Sequence, residues 1–146
     1  MLVMRAGLAD LDDLVPLFDG YRQFYGQRSD LAGARAFLAE RLRRDESVIF
    51  VAYADEGALG FTQLYPSFSS VSVKRLWILN DLFVSPTARR VGVGRRLLER
   101  ARDWAVETDA KGLTLTTALT NAAARSLYES CGWRLDDEFA HYQLLV

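Results

Sequence analysis

Trp77–Leu98 reads WILNDLFVSPTARRVGVGRRLL, and the rest of the chain is organised around it. Trp77, Ile78, Leu79, Leu82, Phe83 and Val84 put large apolar groups on both alternating faces. A strand of that kind is covered on both sides and so is central to its sheet. Ser85-Pro86 ends it, because proline offers no N–H to a ladder. Beyond the loop, Val93, Leu97, Ala101 and Ala105 recur at helical spacing. Gly92 and Gly94 stand where loop becomes helix. Glycine there lets backbone approach a ligand, and the free N–H groups of a first helical turn suit phosphate oxygens.

Four arginines, Arg89, Arg90, Arg95 and Arg96, flank this glycine pair. With the preceding strand and the following amphipathic helix they favour a diphosphate-containing ligand. The plainer alternative is a tight turn followed by a solvated basic helix face. Two better-known loops are excluded. A dinucleotide fingerprint needs a third glycine near Arg96 or Leu97, and a nucleotide-hydrolase loop needs Gly-Lys-Ser/Thr.

Outward from this centre, Leu2–Arg5 is a short strand and Asp10 with Asp13 suits a helix start. Leu11, Leu14, Val15, Phe18 and Tyr21 form its apolar stripe to about Phe24. Ser29 or Asp30 caps a second helix that carries Phe37, Leu38 and Leu42. Ser47–Ala54 and Leu59–Tyr65 are strands joined through Asp55-Glu56-Gly57 as a hairpin, and Pro66 opens a loop. After the helix from Gly92 to Thr108, Leu113–Leu119 is a strand. Asn121 caps a helix carrying Ala124, Leu127 and Tyr128 that stops near Cys131-Gly132. Glu138–Val146 reads as a last strand. The order is β-α-α-β-β-β-α-β-α-β, which predicts an α/β mixed sheet with helices on both faces.

With 146 residues the chain is about one domain, and half of its residues are hydrophobic, enough for a globular core. The net charge of −1 argues against a general nucleic-acid or membrane-surface binder. No apolar run has the length of a membrane span or of a signal peptide. The single cysteine, Cys131, forms no internal disulfide, and a cytoplasmic location is expected. No His/Cys/Asp cluster has metal-ligand spacing, so no metal site is expected. His141, the only histidine, reads as a structural or surface residue, and Cys131 as an inert thiol.

Arg89-x-x-Gly92-x-Gly94 after a strand resembles the acetyl-coenzyme A signature of the GNAT acetyltransferase superfamily. A second match, Asn121-Ala-Ala-Ala-Arg-Ser-Leu-Tyr128-Glu-Ser-Cys-Gly132-Trp133, is similar to the family's Asn-x-x-Ala-x-x-Leu-Tyr-x-x-x-Gly-Phe segment. Leu64-Tyr65-Pro66 and Trp77-x-x-Asn80-Asp81-Leu82-Phe83-Val84 resemble the spermidine/spermine-type and related small-amine or histone acetyltransferases. The resemblance implies a single acyl-CoA N-acyltransferase domain over residues 1–146, with a mostly antiparallel sheet of about six or seven strands and four flanking helices.

It also implies roles. Backbone groups of Leu82, Phe83 and Val84 would pair with the pantetheine arm of acetyl-CoA. The segment Arg89, Arg90, Val91, Gly92, Val93, Gly94 and Arg95 would hold the diphosphate, and Asn121 would contact the cofactor arm. Tyr128 would face the thioester sulfur and donate a proton to the departing thiolate, whereas the bland alternative is a packed helix aromatic. The similar enzymes often have a glutamate base where Asn80 stands. An asparagine takes no proton at neutral pH and only orients a water or the amine. Asp81 is then either the base or a group that fixes neighbouring backbone, and deprotonation through a water chain stays open. Tyr25, Tyr65 and Phe68 are candidate walls for the acceptor, with core packing as the alternative.

The expected activity is direct acetyl transfer from acetyl-CoA to a primary amine of a small molecule, polyamine or amino-acid-like. A protein lysine or N-terminus is the second choice, and a catalytically silent CoA-binding sensor the rival from another class. The late strand edge and exposed aromatics suggest a homodimer.

Overall fold

The computed structural model describes all of residues 1–146. The elements are β1 (Leu2–Arg5), α1 (Leu11–Phe24), α2 (Leu31–Arg43), β2 (Val48–Ala54), β3 (Gly57–Ser69), β4 (Lys74–Val84), α3 (Val93–Glu107), β5 (Leu113–Thr114) and α4 (Ala122–Ser130). The chain forms two compact units, Met1–Thr116 and Thr117–Val146. In the first, five strands lie in the order β1-β2-β3-β4-β5. The first three pairings are antiparallel and β4–β5 is parallel.

Alternation along β2 explains the layers. Ile49 and Val51 join Leu14, Phe18, Leu38 and Phe61 in a core under α1 and α2. Phe50 between them points the other way, to Trp104 of α3, with ring centroids 6.1 Å apart. The sheet therefore carries helices on both faces, as its sequence order predicts. Asp30 caps α2 by accepting from the Gly33 N–H at 2.9 Å. Its neighbour Asp19 holds the α1–α2 connection: the Asp30 N–H, the Ser29 hydroxyl and the Gln23 side-chain amide all donate to its buried carboxylate.

Three boundaries differ from the sequence reading. The hairpin turn is tighter, since Gly57 already pairs with Ala54. The strand β3 runs through Pro66 to Ser69 instead of ending at Tyr65. Pro66 faces Trp77, whose N–H donates to Gly112 on the β5 side at 3.1 Å, so the missing proline donor leaves no unpaired partner in β4. The largest difference is at the C-terminal end. The sheet has five strands, not six or seven, because only Leu113–Thr114 of the expected 113–119 strand is paired. No strand forms over 138–146. Alternating β-prone residues become a strand only where a neighbouring edge pairs with them.

Candidate active site

Gln63 lies opposite Asp81, but Leu64 lies opposite Leu79, so Asn80 is an extra residue inserted into β4. This β-bulge breaks the ladder at the polar pair that interrupts an apolar strand. The pairing of β4 with β5 stops at Ile78. From Leu79 to Val84 the edge of β4 away from β3 therefore has no strand partner. Leu82, Phe83 and Val84 stand on that open edge and are half-buried.

The bulge separates Asn80 from Asp81. Asn80 is exposed, and its carbonyl accepts from the Tyr21 hydroxyl of α1 at 3.1 Å. Asp81 is 2% exposed. Its Oδ2 accepts from Gln63 Nε2 at 2.5 Å and its Oδ1 from Asn80 Nδ2 at 2.8 Å. Thr62 Oγ1 donates to its carbonyl at 2.8 Å. Burial pushes the Asp81 carboxyl above its ordinary range, and the two amide donors oppose that shift.

Beyond Val84, the turn Pro86–Ala88 leads to Arg89, whose Nε donates to the Val84 carbonyl at 3.0 Å and whose guanidinium lies 5.7 Å from the Phe83 ring centroid. Arg89 thus closes the strand end with its side chain. Arg90 and Gly92 both have positive φ, 67° and 86°. Gly92 is the residue before the first turn of α3, and no side chain caps that turn or puts an acid in it. The N–H groups of Val93 and Gly94, at the start of this turn, have no partner within the helix. Arg90, Val91, Arg95 and Arg96 are exposed around them.

In the second unit, Asn121 caps α4: its Oδ1 accepts from the Ala124 N–H at 3.2 Å. Tyr128 lies on the same helix, its ring 6.1 Å from that of Trp133, and its carbonyl accepts from the Trp133 N–H. Gly132 turns the chain out of the helix with φ 90°.

A family model described as the Acetyltransferase (GNAT) family matches residues 14–133. The chain belongs to the GNAT acetyltransferase family. An uncharacterized N-acetyltransferase, YhfO, of Bacillus subtilis (strain 168) is 53% identical over all of this chain and 98% of its own length. A probable acetyltransferase of Haemophilus influenzae is 33% identical over 99% of this chain and 97% of its own. The crystal structure of a probable acetyltransferase, 50% identical, superposes with a TM-score of 0.95, covering 100% of this chain and 98% of that one. This GNAT chain is accordingly an acetyltransferase, with the mixed sheet expected of it.

GNAT folds generally use acetyl-CoA. The first unit fits such a group on two counts. A β4 edge without a strand partner over Leu79–Val84, where side chains of Tyr21 and Arg89 take the Asn80 and Val84 carbonyls, leaves its remaining outward backbone groups to an extended amide-bearing arm. A helix N-terminus opened by Gly92, with arginines and no acid around it, suits a diphosphate.

The three expected acceptor aromatics are not gathered in one place. Tyr25 is half exposed and packs on Tyr21 at 5.1 Å between centroids. Tyr65 is partly buried, and burial with the nearby Asp81 charge pushes its phenol up. Phe68 is three residues from Tyr65 in one strand, so it points to the opposite face, where Arg75 covers it. That corrects its grouping with the other two. Sequence reading missed Tyr21 and Gln63, the residues that reach Asn80 and Asp81. Tyr21 sits in an ordinary apolar stripe, and only the buried glutamine in β3 was a visible signal.

Proposed function

We propose that this protein transfers acetyl from acetyl-CoA to the primary amine of a small molecule, polyamine-like or amino-acid-like. The β4 bulge beside an open strand edge carries the reading: it sets one exposed polar side chain, Asn80, next to the groups that would align the thioester arm. Leu82, Phe83 and Val84 would hold the pantetheine amides. The backbone from Arg90 to Arg95 would hold the diphosphate. Acetyl-CoA, when bound, supplies the activated acetyl group.

Asn80 Nδ2 is committed to Asp81, which would leave its Oδ1 to accept from an amine N–H and so orient the nitrogen lone pair. Asp81 is a positioning residue in this reading. Both its oxygens are occupied and it is almost fully buried, so the proton of the arriving ammonium leaves through water. Tyr128 Oη would be the proton donor to the departing sulfur, the role that the family resemblance gives it. The aromatic residues Tyr21 and Tyr25 would wall an aliphatic amine.

Thiol release assayed with the full chain over a panel of polyamines, amino acids and aminated sugars, beside a lysine peptide, tests this. Turnover with a small amine is expected. Turnover with the peptide alone would move the acceptor to protein. Coenzyme A binding without turnover on any amine would leave a silent binding domain and overturn the proposal.

A further inference from the structure

A second recess lies in the first unit, at the other end of α3 from Gly92. It measures about 330 Å³, the low end of the range for small-ligand sites. Arg5 of β1, Ser47, Arg75 and Trp77 of β4, and Trp104 of α3 line it, with Asp45 at its rim. Val93 and Trp104 are eleven residues apart in one helix, so about 16 Å separates it from the diphosphate turn. It also opens on the α3 face of the sheet, whereas Asp81 points to the α1 face. None of its lining residues takes part in the site described above.

Its chemistry is unusual for a surface hollow. The Arg5 guanidinium lies 4.7 Å from the Trp104 ring centroid, and that of Arg75 lies 5.3 Å from Trp77 and 5.6 Å from Phe68. A guanidinium held over an aromatic ring still carries N–H donors that a carboxylate can take. Neither arginine is in an ion pair: the carboxylates that are paired take Arg35, Arg41, Arg44, Lys74 and Arg100 instead. The recess also gathers unpaired polar atoms. Of four buried side-chain N or O atoms without a hydrogen-bond partner, two belong to its lining, Ser47 Oγ and Trp104 Nε1. Ser47 is 3% exposed. Buried polar groups are rarely left unpaired in a folded chain, and two of these four sit in the wall of one recess.

We propose that this recess binds a small organic carboxylate with a flat apolar body. The two arginine edges would take the carboxylate oxygens, and Trp77, Pro66 and Val48 would cover the body. Asp45 at the rim reduces the local charge to that of one net cation, which suits a monoanion better than a phosphate ester. The Trp77 indole N–H already donates to Thr108 Oγ1 at 2.9 Å and so holds the wall in place.

Benzoate titrated into the full-length protein, followed by calorimetry and by the indole N–H resonances of the tryptophans, tests the assignment, with benzamide as the neutral isostere. Saturable benzoate binding is expected, with the Trp104 indole signal moving, benzamide binding at least about tenfold weaker, and coenzyme A affinity unchanged. Arg5→Gln and Arg75→Gln should each weaken benzoate about tenfold while leaving coenzyme A binding intact. Arg5 is exposed, so its substitution spares the fold, and melting curves check both variants. The proposal falls if benzoate does not saturate, if benzamide binds equally, if inorganic phosphate outcompetes benzoate, if coenzyme A displaces it, or if both folded variants bind as the parent does. Loss of acetyl transfer to amines would not bear on it, because no residue is shared between the two sites.

Discussion

Gln63 of β3 donates its side-chain amide to the buried carboxylate of Asp81 in β4 at 2.5 Å, at the step where the β3–β4 register slips by one residue. That bond and the Asn80 amide are what make a carboxylate tolerable at 2% exposure. The same pair holds the bulge that turns Asn80 outward. The catalytic geometry proposed above therefore depends on a residue that touches neither substrate.

Gln63→Leu leaves the Asp81 carboxylate with one amide donor. A loss of about 1–3 kcal/mol in urea unfolding is expected, together with a fall in turnover larger than any change in coenzyme A affinity. Turnover equal to the parent's would separate the bulge from catalysis.

Asp81 carries a raised folded-state pKa, and the sign of its linkage follows. A carboxyl that holds its proton more tightly when folded adds stability below its unfolded pKa, and that stability is lost as pH rises through the folded value. Asp81→Asn removes this loss, so its melting temperature should fall less than the parent's between acid and neutral pH. If Asp81 acts only by positioning Asn80, the acid limb of the pH–rate profile stays where it is. A displaced limb would make Asp81 the base.

Asp19 runs the other way. Its pKa is lowered, first by the Asp30 N–H and then by the Ser29 hydroxyl. It therefore contributes stability above its unfolded pKa, lost as pH falls through the folded value. Asp19→Ala should cost about 1–3 kcal/mol at neutral pH by freeing three donors and loosening the Asp30 cap of α2. The difference from the parent should shrink in acid, as monitored by chemical denaturation at several pH values.

Gly92 has φ 86°, which a side chain adopts only at a cost of about 1–2 kcal/mol. Gly92→Ala should lower stability by that amount and weaken acetyl-CoA binding through the displaced amides of the first α3 turn. Gly60→Ala is expected to be worse for a different reason: a Cβ there would meet the Phe83 carbonyl oxygen at 2.6 Å, forcing β3 off β4. Calorimetric binding of acetyl-CoA to both variants separates the strained turn from the wedged sheet.

Tyr128→Phe keeps the ring and deletes the hydroxyl proposed as the proton donor. Turnover should drop by more than about tenfold with cofactor affinity near the parent's. A rate within about twofold would remove the general-acid role.

What the chain states locally it states well. The apolar run of β4, the proline after it, the positive-φ glycine at Gly92 and the stripe of α3 are each contained in a few consecutive residues, and each forms where it reads. The residue order alone also implies helices on both faces, since β2 alternates Ile49 and Val51 against Phe50. The bulge is different. Asn80-Asp81 announces a polar interruption, but which of the two turns outward depends on Gln63, 18 residues away, and on Tyr21, 59 residues away. The strand at Pro66 and the absence of one at Glu138–Val146 are likewise decided by whether a partner edge arrives, and the pairing of Arg5 with Trp104 joins β1 to α3. Sequence periodicity encodes which element forms and which face is apolar. Register, open edges and paired charges belong to contacts between distant segments, and only the folded chain brings those segments together.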